Sequence, residues 1–152
     1  MNSRLLSLDF FRGLTIAAMI VVNDPGSWAH VYPPLRHADW HGVTPTDLVF
    51  PFFLFIVGVS ISLSLSKRKG SSNLYLKIFK RSVIIFLLGI FLALFPIFDF
   101  ENLRIVGVLQ RIAIVYLVCA ILYLNTSFST QLKIGIGLLI VYWITMVFVP
   151  FS

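Results

Sequence analysis

Five apolar runs alternate with short polar stretches along this chain, at residues 8–23, 47–66, 78–95, 105–124 and 132–149. Each is close to the roughly 20 residues that an α-helix needs to cross the hydrocarbon core of a bilayer. The breaks between them carry turn chemistry. Asp24-Pro25-Gly26 stops the first run, Pro96 the third and Pro150 the fifth. Thr44-Pro45-Thr46 introduces the second, with Thr46 expected as the N-cap and Asp47 suited to a helix N-terminus. Gly58, Ser60, Ser62 and Ser64 leave that helix open to close approach by others. The pattern predicts an all-α, polytopic transmembrane helix bundle of about five spans, forming one membrane domain over residues 1–152.

Composition supports a bilayer rather than water as the solvent. Hydrophobic residues make up 59%, aromatic residues 15% and charged residues 12% of the chain, and mean hydropathy is +0.95. Soluble domains carry about 25% charge. A cleaved signal peptide is a rival reading of the first run, but Asp9 and Arg12 interrupt its approach and no small-x-small cleavage site follows. Cys119 is the single cysteine, inside an apolar run, and reads as a packing residue.

The net charge of +6 would suit nucleic acid, but half of the twelve basic residues fall in one stretch across the second connection and the start of the third run, as Lys67, Arg68, Lys69, Lys77, Lys80 and Arg81. Clustered cations beside apolar runs set membrane orientation, and no nucleic-acid partner is expected. With Arg4 before the first run and Lys133 after the fourth connection, the N-terminus and connections two and four are expected in the cytoplasm. Connections one and three then face the other side.

Ionisable residues in or beside spans are the first places to look for function, because hydrocarbon tolerates them poorly. The first connection holds all three histidines, His30, His37 and His41. An imidazole there could take a proton from an amine or hydroxyl, with a carboxylate or amide fixing its tautomer, as acyl transfer requires. Two other readings remain open at this point: ordinary polar loop residues, or a metal pair from the four-residue spacing of His37 and His41. Pro33-Pro34 and Gly42 weigh against a long helix there, so no metal is expected.

Asp9 and Arg12 can pair along one helix face, a structural role. Arg111, about 10 Å along the helix from Arg104, is expected to find an acid such as Asp47, backbone carbonyls, water or a bound anion.

These residues fall in a recognisable order: Ser7-Leu8-Asp9-Phe10-Phe11-Arg12-Gly13-Leu14, Val22-Asn23-Asp24, His37-Ala38-Asp39-Trp40-His41-Gly42, Asp47-Leu48-Val49-Phe50-Pro51-Phe52-Phe53 and Gly107-Val108-Leu109-Gln110-Arg111. The sequence resembles the heparan-α-glucosaminide N-acetyltransferase family of transmembrane acetyltransferases, in particular its bacterial members. That resemblance implies transfer of an acetyl group from cytoplasmic acetyl-CoA, a co-substrate rather than a bound cofactor, to an amino sugar or related glycan acceptor across the membrane. It implies His37 as the active-site histidine with Asn23 beside it. Asp47 and Arg111 match patterned positions too, and their chemistry makes them candidates for substrate or cofactor binding. The implied location is a bacterial inner membrane, with self-association left open. Family members have about twice as many spans, so the chain is expected to be the N-terminal part of a larger bundle.

The rival function is a non-catalytic subunit or transporter-like bundle, in which Asp47, Arg111 and the histidine loop line a path for a polar solute.

Overall fold

The computed structural model describes residues 6–24, 26–27, 30–38, 42–66, 73–95 and 107–149, and among them every regular element is helical. Helix α1 spans Leu6–Asn23, α2 Pro45–Ser66, α3 Leu74–Leu94, α4 Val108–Asn125 and α5 Phe128–Phe148, with a short 3-10 turn at Pro33–Leu35. The chain divides into two units, Met1–Ser60 and Ile61–Ser152.

Helices α1, α2, α4 and α5 are long and apolar enough to cross a membrane. Helix α3 has the length, but Lys77, Lys80 and Arg81 occupy its first two turns. Its apolar stretch begins only at Ser82. Large side chains such as Leu139, Tyr142, Trp143 and Phe148 stand exposed along α5, which buries no residue at all. Water would not tolerate such a surface, whereas lipid matches it. The protein is integral to a membrane.

The helix starts depart from the hydropathy pattern because capping, not hydropathy, sets them. Helix α2 begins at Pro45, where a proline loses nothing because the first helical N–H has no partner to give up. Asp47 then reaches back to the residue before the helix, its Oδ2 accepting the backbone N–H and the hydroxyl of Thr44, each at 2.9 Å. Thr46 is therefore not the N-cap: it is buried, and its hydroxyl donates to the carbonyl of Pro34. Helix α5 starts at Phe128 because Ser127 Oγ accepts from the N–H of Thr130. Helix α4 starts after Gly107, so Arg111 lies in its first turn.

In the first unit, Phe11 of α1 meets Phe52 of α2 edge to face, with ring centroids 5.8 Å apart. The Arg12 guanidinium pairs with Asp9 at 3.1 Å, as expected, and also donates to Ser60 Oγ at 2.9 Å. Arg12 thus joins the two helices by a charge-assisted bond.

In the second unit, α3 and α4 pack as an antiparallel pair. Tyr75 bonds Asn125, Arg81 lies over the Tyr116 ring, Ser82 donates to the carbonyl of Ala113, and Gly89 lies against Gln110. Close approach depends on small residues: Gly89, Ser82, Ala113 and Ala120 are all buried. A Cβ on Gly89 would stand 2.8 Å from the Gln110 carboxamide, and one on Gly107 would stand 2.5 Å from its Oε1. Gln110 is itself only 2% exposed, so its amide has no room to swing away.

Candidate active site

The first connection leaves α1 at Asn23, and Gly26 takes the left-handed conformation (φ +73°) that glycine adopts without steric cost. The segment is then held by its own backbone. Buried Val31 anchors it, and its carbonyl accepts the Arg36 Nε–H at 3.1 Å. The Pro33–Leu35 turn closes with the Arg36 N–H on the Pro33 carbonyl, and Thr46 ties Pro34 to the start of α2. Clamped on both sides, the next residue is His37.

His37 Nδ1 lies 2.6 Å from Asp47 Oδ1. The other oxygen of that carboxylate, Oδ2, accepts from Ala38 N at 3.2 Å, Thr44 N at 2.9 Å and Thr44 Oγ1 at 2.9 Å. A carboxylate only accepts, so the short bond to His37 is donated by Nδ1–H, leaving the Nε2 lone pair outward. The His37 side chain is 70% exposed and that of Asp47 29%. Asp47 is thus a buttressed acceptor and His37 an accessible base, the pairing that activates nucleophiles in acyl transfer.

The remaining site residues are placed differently. Asn23 is exposed, and its Nδ2 donates to the Met19 carbonyl of its own helix at 2.7 Å. One amide N–H is left for another acceptor. Among the described residues no hydrogen bond links Asn23 to His37. The guanidinium of Arg111 is exposed in the first turn of α4 and has no ion pair among the described residues. The later start of α4 puts Arg111 in the first turn of that helix, nearer its end than the hydropathy pattern places it. Asp47, named as an acid that could meet Arg111, has its oxygens engaged by the loop. His30 is exposed, with its backbone N–H on the Ser27 carbonyl. His41, and with it the proposed metal pair, lies outside the described residues.

An apolar cavity of about 360 Å³ is lined by Phe11, Leu14, Ala18, Leu35, Val49 and Phe52, among others. Its two hydroxyls, on Thr15 and Thr46, donate to the carbonyls of Phe11 and Pro34. With these satisfied, polar chemistry in this unit concentrates at His37 and Asp47.

Sequence reasoning missed the partnership of His37 with Asp47. One half of the signal was present, because Thr44-x-x-Asp47 has capping-box spacing and marks Asp47 as an acceptor at a helix start. The donor from the loop leaves no such mark.

Residues 4–150 match the model of the family described as heparan-alpha-glucosaminide N-acetyltransferase, catalytic. The chain belongs to that family. Its curated relatives include heparan-alpha-glucosaminide N-acetyltransferase of Homo sapiens, 41% identical over 130 residues, and that of Mus musculus, 40% identical over 129 residues. These alignments take in 80% and 79% of this chain but 19% of each relative, so the chain spans about a fifth of their length. The His37–Asp47 pair and Asn23 all lie inside the region matched by the family model.

Proposed function

We propose that the chain carries the histidine site of a membrane-embedded acetyltransferase, which moves an acetyl group from cytoplasmic acetyl-CoA to the amine of an amino sugar on the other face of a bacterial inner membrane. The observation that carries this reading is the 2.6 Å contact of His37 Nδ1 with Asp47 Oδ1, which leaves Nε2 accessible. Membership of an N-acetyltransferase family supports the same chemistry.

In this mechanism Nε2 of His37 takes a proton from the acceptor amine as its nitrogen attacks the thioester carbonyl. The C–N bond forms, the C–S bond breaks, and the CoA sulfur leaves as a thiol after receiving a proton. Asp47 keeps the imidazole in the Nδ1–H tautomer and steadies the imidazolium, which makes it a positioning residue rather than a substrate-binding one. The free amide N–H of Asn23 is suited to an oxyanion on the thioester carbonyl. The sidedness rests on the cations at residues 67–81.

Membranes containing the protein, supplied with labelled acetyl-CoA and glucosamine, should form N-acetylglucosamine, and the His37→Ala protein should not. Uptake of glucosamine without acetylation would replace this reading with the transporter-like one.

A further inference from the structure

The first two turns of α3 present Lys77, Lys80 and Arg81, all exposed. Their i, i+3, i+4 spacing puts them on one helix face, within about 6 Å along the axis. The antiparallel pairing with α4 places this end of α3 beside the end of α4, where the Tyr75 hydroxyl donates to Asn125 Oδ1 at 3.0 Å. The Arg81 guanidinium lies 5.4 Å from the Tyr116 ring centroid, which holds it at the seam between the helices. After the Thr126–Ser127 link, the second turn of α5 adds Lys133, also exposed. Three cations therefore share one face of α3 beside the end of α4, and Lys133 follows that end of α4 in sequence.

Among the described residues of Ile61–Ser152 there is no Asp or Glu to meet them. Asp99 and Glu101 belong in sequence to the connection between the opposite ends of α3 and α4. The first three turns of α3 expose Leu76, Phe79, Val83 and Ile84, which have no use for a soluble anion. Cations beside exposed hydrocarbon, with tyrosines at the same level, fit the headgroup layer of a bilayer.

We infer that this end of the second unit binds anionic phospholipid, with the phosphate held by Lys77, Lys80 and Arg81 and the acyl chains along the Phe79 and Val83 face of α3. The site is separate from the His37–Asp47 pair and does not depend on the acetyltransferase reading.

Native mass spectrometry of the purified chain in detergent, titrated with dioleoyl phosphatidylglycerol or dioleoyl phosphatidylcholine, tests it. The anionic lipid should be retained in preference. Lys77→Gln with Lys80→Gln and Arg81→Gln should weaken that retention roughly 100-fold, at about fivefold per cation. The charge-conserving set Lys77→Arg, Lys80→Arg and Arg81→Lys should keep it. Should the neutralised protein fail to fold, Lys77→Gln and Lys80→Gln taken singly should each show the fivefold loss. Equal retention of the two lipids, unchanged affinity in the neutralised variants, or equal loss in the charge-conserving set would each overturn the inference. Displacement of phosphatidylglycerol by free CoA would also overturn it, by assigning the cations to a soluble phosphate.

Discussion

His37 and Asp47 meet across the start of α2, Nδ1 to Oδ1 at 2.6 Å, while Oδ2 of the same carboxylate accepts the N–H of Thr44 at 2.9 Å. A single side chain therefore caps a helix and orients an imidazole. Asp47→Asn is expected to lower kcat of acetyl transfer by about 10²- to 10⁴-fold, because an amide can present an N–H to Nδ1 and favour the wrong tautomer. KM for the amine acceptor should hardly move. A raised KM with kcat intact would instead make Asp47 a substrate-binding residue.

His37→Ala should remove the reaction while leaving helicity and membrane insertion unchanged, since a side chain 70% exposed contributes little to packing. The expected fall is about 10² to 10⁴ in rate. Asn23→Ala should lower turnover by about 10² to 10³ if its amide meets the oxyanion. Turnover assays beside circular dichroism separate these outcomes from misfolding, and near-normal turnover of His37→Ala would discard the assignment.

Gly89→Ala should destabilise the α3–α4 pair by about 1–3 kcal/mol, because the new methyl meets a Gln110 side chain that has nowhere to go. Adding Gln110→Ala should recover part of that loss. Denaturant unfolding in detergent gives the comparison, and additive effects of the two substitutions would mean that they do not share this contact.

Arg12 and Ser60, 48 residues apart, should show coupling in a double-mutant cycle of Arg12→Ala and Ser60→Ala. Interhelical hydrogen bonds in membranes average about 0.6 kcal/mol, and a charged donor should place this one at or above that figure. A cycle that closes at zero would show the bond to be of no energetic consequence.

Orientation can be read by cysteine labelling in a Cys119→Ala background. On the proposed orientation, in which the cations at residues 67–81 keep their connection in the cytoplasm, an impermeant reagent applied to sealed cells should reach a cysteine at position 38 and not one at position 72. The reverse pattern would invert the topology and the direction of acetyl transfer.

The sequence by itself determined the helical class, the approximate extent of all five helices and the loop that carries the histidines. Hydropathy and proline breaks act locally, so they can be read residue by residue. Its ordered motifs were also enough to identify the family, and Asp9 with Arg12 could be paired from helical spacing alone. Tertiary structure decided the rest. Asp47 meets His37 ten positions away in sequence, a separation that no helix or strand period marks. Arg12 reaches Ser60 on another helix, and Gly89 makes room for Gln110, because packing selects neighbours without regard to their separation in sequence. Arg111 belongs to the first turn of α4 because the helix starts after the Gly107 cap, later than the apolar run, and hydropathy does not register where backbone hydrogen bonding begins.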